Sequence, residues 1–326
     1  MTTDNVSEIE KVAASRTLTD YLGLAARGFA MGAADVVPGV SGGTMAFILG
    51  IYEELINSIK NIISPEVIKL LLSFKIKELM NVFPWKFLAA VGIGILVAIF
   101  SLAPYLEWML VNKPELLWAF FFGLVLASIF TVIKRVSRWG GVTIGAAIVG
   151  TIVAFIVVGL VPTETPDTSW FLFLSGFIAI CAMILPGISG SFVLVLLGKY
   201  QQILSAVNQR DFLTLFLVAA GAAVGIVTFA QILSWLFKRY HDVTVAVLIG
   251  LMAGSLRKIW PWKETISTIT DRHGELIPVE QINVLPAAWS NEVTFALVLV
   301  IAGFALVFAL DWWASRKESA EAVAPV

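Results

Sequence analysis

Two stretches of this chain, VPGVSGGTMAFILGIY at 37–52 and LPGISGSFVLVLLGKY at 185–200, align at a single offset of 148 residues without a gap. Across the 20 positions from 37 to 56, Pro38, Gly39, Ser41, Gly42, Leu49, Gly50 and Tyr52 meet identical residues at Pro186, Gly187, Ser189, Gly190, Leu197, Gly198 and Tyr200. The register extends upstream, where Gly28, Phe29 and Ala34 meet Gly176, Phe177 and Ala182. Self-similarity at a fixed offset marks a duplicated structural unit, so the fold must present the same broken element twice. A further echo, FFGLVLASI at 121–129 against LIGLMAGSL at 248–256, carries the duplication onward through a shortened connection.

Both copies lie among apolar segments. Uncharged runs at 87–104, 116–133, 139–161, 168–198, 212–237 and 293–310 each reach the roughly 18 to 20 residues that cross a bilayer as helix. With 59% hydrophobic and 14% charged residues, the chain lacks the polar surface of a soluble domain. None of the runs alternates with period two, so helices rather than a barrel must satisfy the backbone in lipid. The expectation is an all-α polytopic membrane protein. Residues 1–19 are polar and have no long apolar core, so they read as a cytoplasmic tail and not as a cleavable signal. The lone Cys181 excludes an intramolecular disulfide, and His241 and His273, read as loop residues, cannot assemble a zinc cluster. No metal, cofactor or nucleic-acid partner is expected.

Residues 28–52 carry one charge, Asp35, and are interrupted by Pro38, Gly39, Gly42 and Gly43. Proline removes a backbone donor and glycine admits unusual dihedrals, so the helix breaks there. Two half-helices meeting near Pro38 would each be about 20 Å long, short of the roughly 30 Å hydrocarbon layer. Residues 168–198 as one straight helix would measure roughly 46 Å, too long for a single crossing. Both stretches therefore read as re-entrant helical hairpins. Between them lie a basic amphipathic surface segment, 60–86, with five lysines, and three spans. Three is odd, so the hairpins enter from opposite faces, giving an inverted-repeat, transporter-like bundle.

The expected organisation is a tail at 1–19, repeat 1 at 20–161, repeat 2 at 162–311 and a cytoplasmic tail at 312–326. With the N-terminus inside, 15 of 22 Lys and Arg fall on the cytoplasmic side, as the positive-inside rule requires. Letting both motifs span, with the N-terminus outside, gives 14, and letting only the second span gives 17; charge alone does not choose, whereas length and repeat symmetry favour hairpins. A cysteine at Ser58 should then be labelled from the cytoplasm only, and one at Gln209 from outside only.

A Pro-Gly break followed by serine and glycine exposes backbone N–H groups at the start of a half-helix. Those donors, the helix dipole and the hydroxyls of Ser41, Thr44, Ser189 and Ser191 suit an anion, a phosphate above all. The expected substrate cradle is Pro38, Gly39, Ser41, Gly42, Gly43 and Thr44 with Pro186, Gly187, Ser189, Gly190 and Ser191. The competing reading is that these residues simply bend membrane helices. Asp35, Arg27 and Glu53 are candidate coupling or charge partners. A carboxylate at membrane depth costs about 2.5 to 3.5 kcal/mol on insertion scales unless protonated, paired or wet, and Asp35 reads equally as a cap on the broken backbone. Its counterpart is Met183, so the two copies are chemically unequal. Arg27 snorkelling to the interface and Glu53 as a solvated cap are the plainer alternatives. Gly221 with Gly225, and Gly250 with Gly254, have small-xxx-small spacing and read as helix packing; Cys181 reads as a packing residue.

GAADVVPGVSGGT at 32–44, GIY at 50–52, AMILPGISGS at 182–191, GKY at 198–200 and GLMAGSLRKIWPW at 250–262 together resemble the polyprenyl-phosphate translocase family of bacterial membrane proteins. The resemblance runs from about residue 27 to residue 262. It implies a multi-pass protein of the bacterial cytoplasmic membrane that is not an enzyme. Its substrate would be undecaprenyl phosphate, returned from the outer to the cytoplasmic leaflet, with membrane lipid around the carrier chain. Two other classes stay open: a secondary transporter of a small soluble anion, which uses the same half-helix chemistry, and an undecaprenyl pyrophosphate phosphatase. The phosphatases carry a motif resembling PGxSRS. Here Gly42 and Gly190 stand at the arginine position, and no companion pair of motif glutamates is present. No nucleotide-binding loop is visible either, which argues against direct ATP hydrolysis.

Overall fold

The computed structural model describes residues 16–37, 40–163, 165–270 and 276–323. Helix α1, Leu18–Val36, starts at Thr17, whose side chain and that of Asp20 cap each other's backbone N–H groups in a capping box. Beyond α1 come α2, Gly42–Ile48, and α3, Tyr52–Asn61. Two short helices follow, α4 at Pro65–Leu72 and α5 at Ile76–Val82. Their exposed Leu71, Leu72, Phe74 and Ile76 alternate with lysines, as expected of a segment lying in a membrane interface. Helices α6, Trp85–Asn112, and α7, Pro114–Ile133, are separated by Lys113 alone, and Pro114 restarts the helix at a position where its missing N–H costs nothing. Then come α8, Gly141–Val157; α9, Ser169–Ile184; α10, Gly190–Leu196; α11, Tyr200–Gln209; and α12, Phe212–Ser255. Strands β1, Lys263–Thr270, and β2, Leu276–Asn283, pair antiparallel, and α13, Asn291–Val323, ends the described chain.

Among the described residues four helices are long and apolar enough to cross a membrane: α6, α7, α12 and α13. The large side chains they and α8 leave exposed, Phe100, Val111, Val142, Phe216 and Ile301 among them, are those a bilayer covers. The molecule is an all-α, multi-helix membrane-spanning bundle. Helix α12 is two helices joined at Tyr240, whose φ of −136° and ψ of 47° are non-helical. Lys113, between α6 and α7, has nearly the same backbone, φ −143° and ψ 53°. Lys113 and Tyr240 are 127 residues apart, the offset that relates FFGLVLASI to LIGLMAGSL.

Glycine contacts follow the same arithmetic. A Cβ at Gly28 would run into the Val91 carbonyl and one at Gly94 into that of Ala25, holding α1 on α6. Gly176 meets Val218 and Gly221 meets Phe173 in the same manner, holding α9 on the first half of α12. Gly123 meets Val300 and Gly303 meets Phe120 where α7 touches α13; Gly250 meets Ala147 and Gly150 meets Val247 where the second half of α12 touches α8. Each of these contacts in one half of the chain thus has its counterpart in the other. The offsets are 148 for α1 to α9, 127 for α6 and α7 to α12, and 153 for α8 to α13. Close main-chain approach at small residues is how helices associate in lipid, where hydrophobicity supplies no drive; Gly221, Gly225, Gly250 and Gly254 are packing residues, as expected.

Several expectations change. The two arms of each broken segment are unequal, because α2 and α10 are seven residues each, about 10 Å. They stop at Gly50 and Gly198, whose φ values of +75° and +65° lie in the left-handed region that favours glycine. The chain from α10 into α11 turns by 109° there. The β1–β2 hairpin was not anticipated. His241 is helical, directly after Tyr240, and not a loop residue; His273 lies outside the described residues. Ser58 is buried at 4% exposure, so a cysteine there would report burial and not sidedness.

Candidate functional site

The two breaks meet in the interior. Ser41 Oγ donates to the Met183 carbonyl at 2.8 Å, Gly187 N–H donates to Thr44 Oγ1 at 2.9 Å, and Tyr52 OH donates to the Ile184 carbonyl at 3.2 Å. A Cβ at Gly43 would overlap the Ile184 carbonyl, so the two main chains touch. Gly187 has φ +92°, and a Cβ there would come within 2.9 Å of the Leu251 carbonyl and of Ser255 Oγ. Only glycine meets both demands.

Ser41 caps α2 by accepting from Gly43 N–H at 3.1 Å. Asp35 completes that cap: its Oδ1 accepts from Gly42 N–H at 2.6 Å. Of the two readings of Asp35, the structure displays the backbone contact. The first break therefore has its leading donors already occupied by the chain's own oxygens. In the second, Met183 stands where Asp35 would be, Ser189 and Ser191 hydroxyls bond each other at 2.8 Å, and Gly190 packs with 2.7 Å between a built Cβ and the Ala179 carbonyl. Pro186 opens the turn before Gly187, while Pro38 and Gly39 lie outside the described residues. Burial separates the two copies as well. All seven residues of α2 are buried, against Gly190 and Val193 alone in α10, and Tyr52 is 1% exposed where Tyr200 is 38%.

The remaining candidates are elsewhere. Arg27 is half-buried on α1, about 12 Å from Asp35 along the helix by its rise. Glu53 is at the base of the first segment, where its carboxylate faces His241 Nε2 at 3.3 Å. Beside it Arg16 makes a two-pronged pair with Glu54 at 2.6 and 2.8 Å. Arg135, in the link from α7 to α8, donates to the Ile48 carbonyl at 3.4 Å. The second segment's base lies beyond the other end of α8, where Thr163 N–H donates to the Leu196 carbonyl at 2.9 Å.

Two residues that sequence reasoning missed belong here. Tyr52, conserved between the copies as Tyr200, is the third cross-break donor; its identity across the repeat was the available signal. Lys199 is 1% exposed, with Nζ bound to the Asp167 carboxylate and to the Thr165 carbonyl at 3.1 Å, and 5.6 Å from the Phe171 ring centre. It replaces Ile51 of the first copy and pins the base of the second segment; GKY against GIY was the visible clue.

The family model for undecaprenyl phosphate translocase-like proteins matches residues 31–277. A polyprenyl-phosphate transporter of Vibrio cholerae is 43% identical over 308 residues, covering 91% of this chain and 98% of that protein. A polyprenyl-phosphate transporter of Staphylococcus aureus is 32% identical over 255 residues, covering 72% and 84%. No solved structure matches. The matched span includes both breaks, the α6–α7 and α12 pairs and the RKIWPW turn, and the chain belongs to the undecaprenyl phosphate translocase-like family.

Proposed function

We propose that this protein carries undecaprenyl phosphate from the outer to the cytoplasmic leaflet of the bacterial cytoplasmic membrane, acting as a transporter and not an enzyme. The names of its relatives supply the substrate class, and one observation carries the mechanism. A polar contact of hydroxyls and main chain, Ser41, Thr44 and Gly187 with the Met183 and Ile184 carbonyls, is built where two broken helices meet inside an apolar bundle. Polar groups at membrane depth are costly and mark substrate paths, and the hard step in lipid flipping is taking a phosphate through hydrocarbon. The headgroup travels past the breaks, held by Ser41, Gly43 and Thr44 on one side and Ser189, Gly190 and Ser191 on the other, while the polyprenyl chain stays in lipid.

The two segments act as re-entrant hairpins of an inverted repeat. Matching glycine contacts at offsets of 148, 127 and 153 support the duplication, and the location of the two bases beyond opposite ends of α8 supports opposed openings. The unequal burial of α2 and α10 is what an alternating mechanism produces when one side is closed. In the opposite state Ser189 and Tyr200 would take the roles of Ser41 and Tyr52.

Proteoliposomes test the reading directly. Movement of polyprenyl phosphate between leaflets is expected, without phosphate release from the pyrophosphate and without uptake of soluble anions; either of those activities in place of lipid movement would overturn it. Ser41→Ala and Ser189→Ala remove hydrogen bonds to a charged headgroup, worth about 1.5 to 3 kcal/mol each, so the initial rate should fall roughly tenfold or more with the fold retained. Wild-type rates in both variants would exclude a phosphate cradle at the breaks.

Sidedness has its own test. In a Cys181→Ala background, Glu66→Cys on exposed α4 should react with an impermeant thiol reagent only from the cytoplasm, and Gln209→Cys at exposed α11 only from outside. Reaction of both from one side would refute opposed hairpins.

A further inference from the structure

One pair of cations has no role in the contacts described so far. Lys258 follows the end of α12 and Lys263 opens β1. The Lys258 ammonium stands 4.6 Å from the ring centre of Phe192, the residue after Ser191 in the second copy of the motif. Lys263 turns back to donate to the Lys258 carbonyl at 2.6 Å and stands 4.1 Å over the Trp118 ring of α7. Both side chains are half-buried, and among the described residues neither is joined to a carboxylate. Burial lowers the affinity of Lys258 for its proton, and burial beside Lys258 holds Lys263 down to about 7.

Two cations desolvated against ring faces and one carbonyl form an arrangement that an anion would relieve. Ring faces attract an ammonium through their quadrupole but cannot neutralise it. The pair also has a direction. Ser255, whose Oγ lies against Gly187, is three residues before Lys258, so the cations sit about one helical turn outward from the second break. In the topology proposed above this is the outer mouth, on the side where the second copy is the more exposed.

We propose that Lys258 and Lys263 form a capture site for a phosphate monoester at the outer mouth, between the second hairpin and α7, which loads the second break. This rests on the transport reading. The anion is then passed inward to Ser191 and Ser189, and the aromatic rings of Trp118 and Phe192 flank the first carbons of a lipid chain attached to it.

The full-length protein in phosphatidylcholine nanodiscs is titrated with polyprenyl phosphate, with the matching polyprenol and with inorganic phosphate, reading tryptophan fluorescence. Wild type should bind the lipid phosphate at least tenfold more tightly than the polyprenol. The double variant Lys258→Gln/Lys263→Gln should lose that preference, and Lys258→Arg/Lys263→Arg should keep most of it. Because the ammonium groups are desolvated, the glutamine variant should unfold at the same temperature as wild type or a higher one. If it fails to fold, Lys263→Gln alone is read.

An unchanged preference in the glutamine variant would overturn the site. Equal binding of inorganic phosphate and lipid phosphate would overturn the lipid as source and assign the same cations to the free anion. Flipping in proteoliposomes separates this inference from the reading it rests on. If wild type binds through the lysines but moves no lipid, the transport reading fails alone; if it moves lipid and the glutamine variant matches it at limiting lipid, the capture site fails alone.

Discussion

Gly43→Ala is expected to slow lipid movement by one to two orders of magnitude. The added methyl group would overlap the Ile184 carbonyl, which is main chain and cannot rotate away. Forcing an extra carbon into a filled interior costs about 1 to 3 kcal/mol, and each 1.4 kcal/mol is about tenfold in an equilibrium. The strain falls on the contact between the two breaks, so Ser41 and Thr44 lose their geometry toward Met183 and Gly187 together. Gly23→Ala is the matched control. Nothing lies within 4 Å of its Cβ position in α1, so removing backbone freedom from a helix interior should raise stability by about 0.5 to 1 kcal/mol and leave transport intact. Leaflet-exchange rates and thermal unfolding in nanodiscs give both readouts. A wild-type rate for Gly43→Ala would mean that the two breaks need not touch during transport.

The duplication that sets up this contact is readable from residues because it is ungapped. Pro38 to Tyr52 against Pro186 to Tyr200 keeps one register, and small-residue spacing at Gly221, Gly225, Gly250 and Gly254 announces the helix contacts they make. The offsets of the later helices were harder to see, since 127 and 153 differ from 148 wherever the connections differ. The first half carries α4 and α5, and the second carries the β1–β2 hairpin. That hairpin had a local signal, KETISTIT and LIPVEQIN being rich in β-branched residues on either side of a polar stretch, overshadowed by the apolar runs around them.

Other features are tertiary outcomes. The length of a half-helix depends on whether Gly50 and Gly198 adopt a left-handed backbone, which glycine permits but does not dictate. The burial of Lys199 depends on Asp167 and Thr165 arriving from the loop before α9, more than 30 residues away. Near-equivalence at the sequence level also hid a difference between the copies. Ser41 and Ser189 are identical residues, yet the first donates across the interface while the hydroxyl of the second pairs with that of Ser191. Identical residues at equivalent positions therefore need not have identical partners.

That asymmetry leads to Asp35, where the largest change in behaviour is expected. Its carboxylate holds the Gly42 N–H, a donor that a phosphate at the first break would also seek. An ionised Asp35 and a phosphate charge about 4 Å apart repel by about 4 kcal/mol at an effective dielectric of 20. On the proposed mechanism a headgroup would settle there only if the carboxylate took up a proton or another cation, and this would tie lipid movement to an ion. Asp35→Asn keeps an acceptor oxygen for Gly42 and removes the charge permanently. Its fold should therefore survive, whereas Asp35→Ala should also lose the cap, at about 1 kcal/mol. In proteoliposomes Asp35→Asn should still exchange polyprenyl phosphate between leaflets at equilibrium, but its acceleration by an imposed ion gradient should fall at least tenfold. A merely structural Asp35 would leave the gradient response of the asparagine variant intact and would make the alanine variant defective through instability alone. The ratio of gradient-driven to equilibrium exchange, measured on both variants, distinguishes a coupling carboxylate from a helix cap.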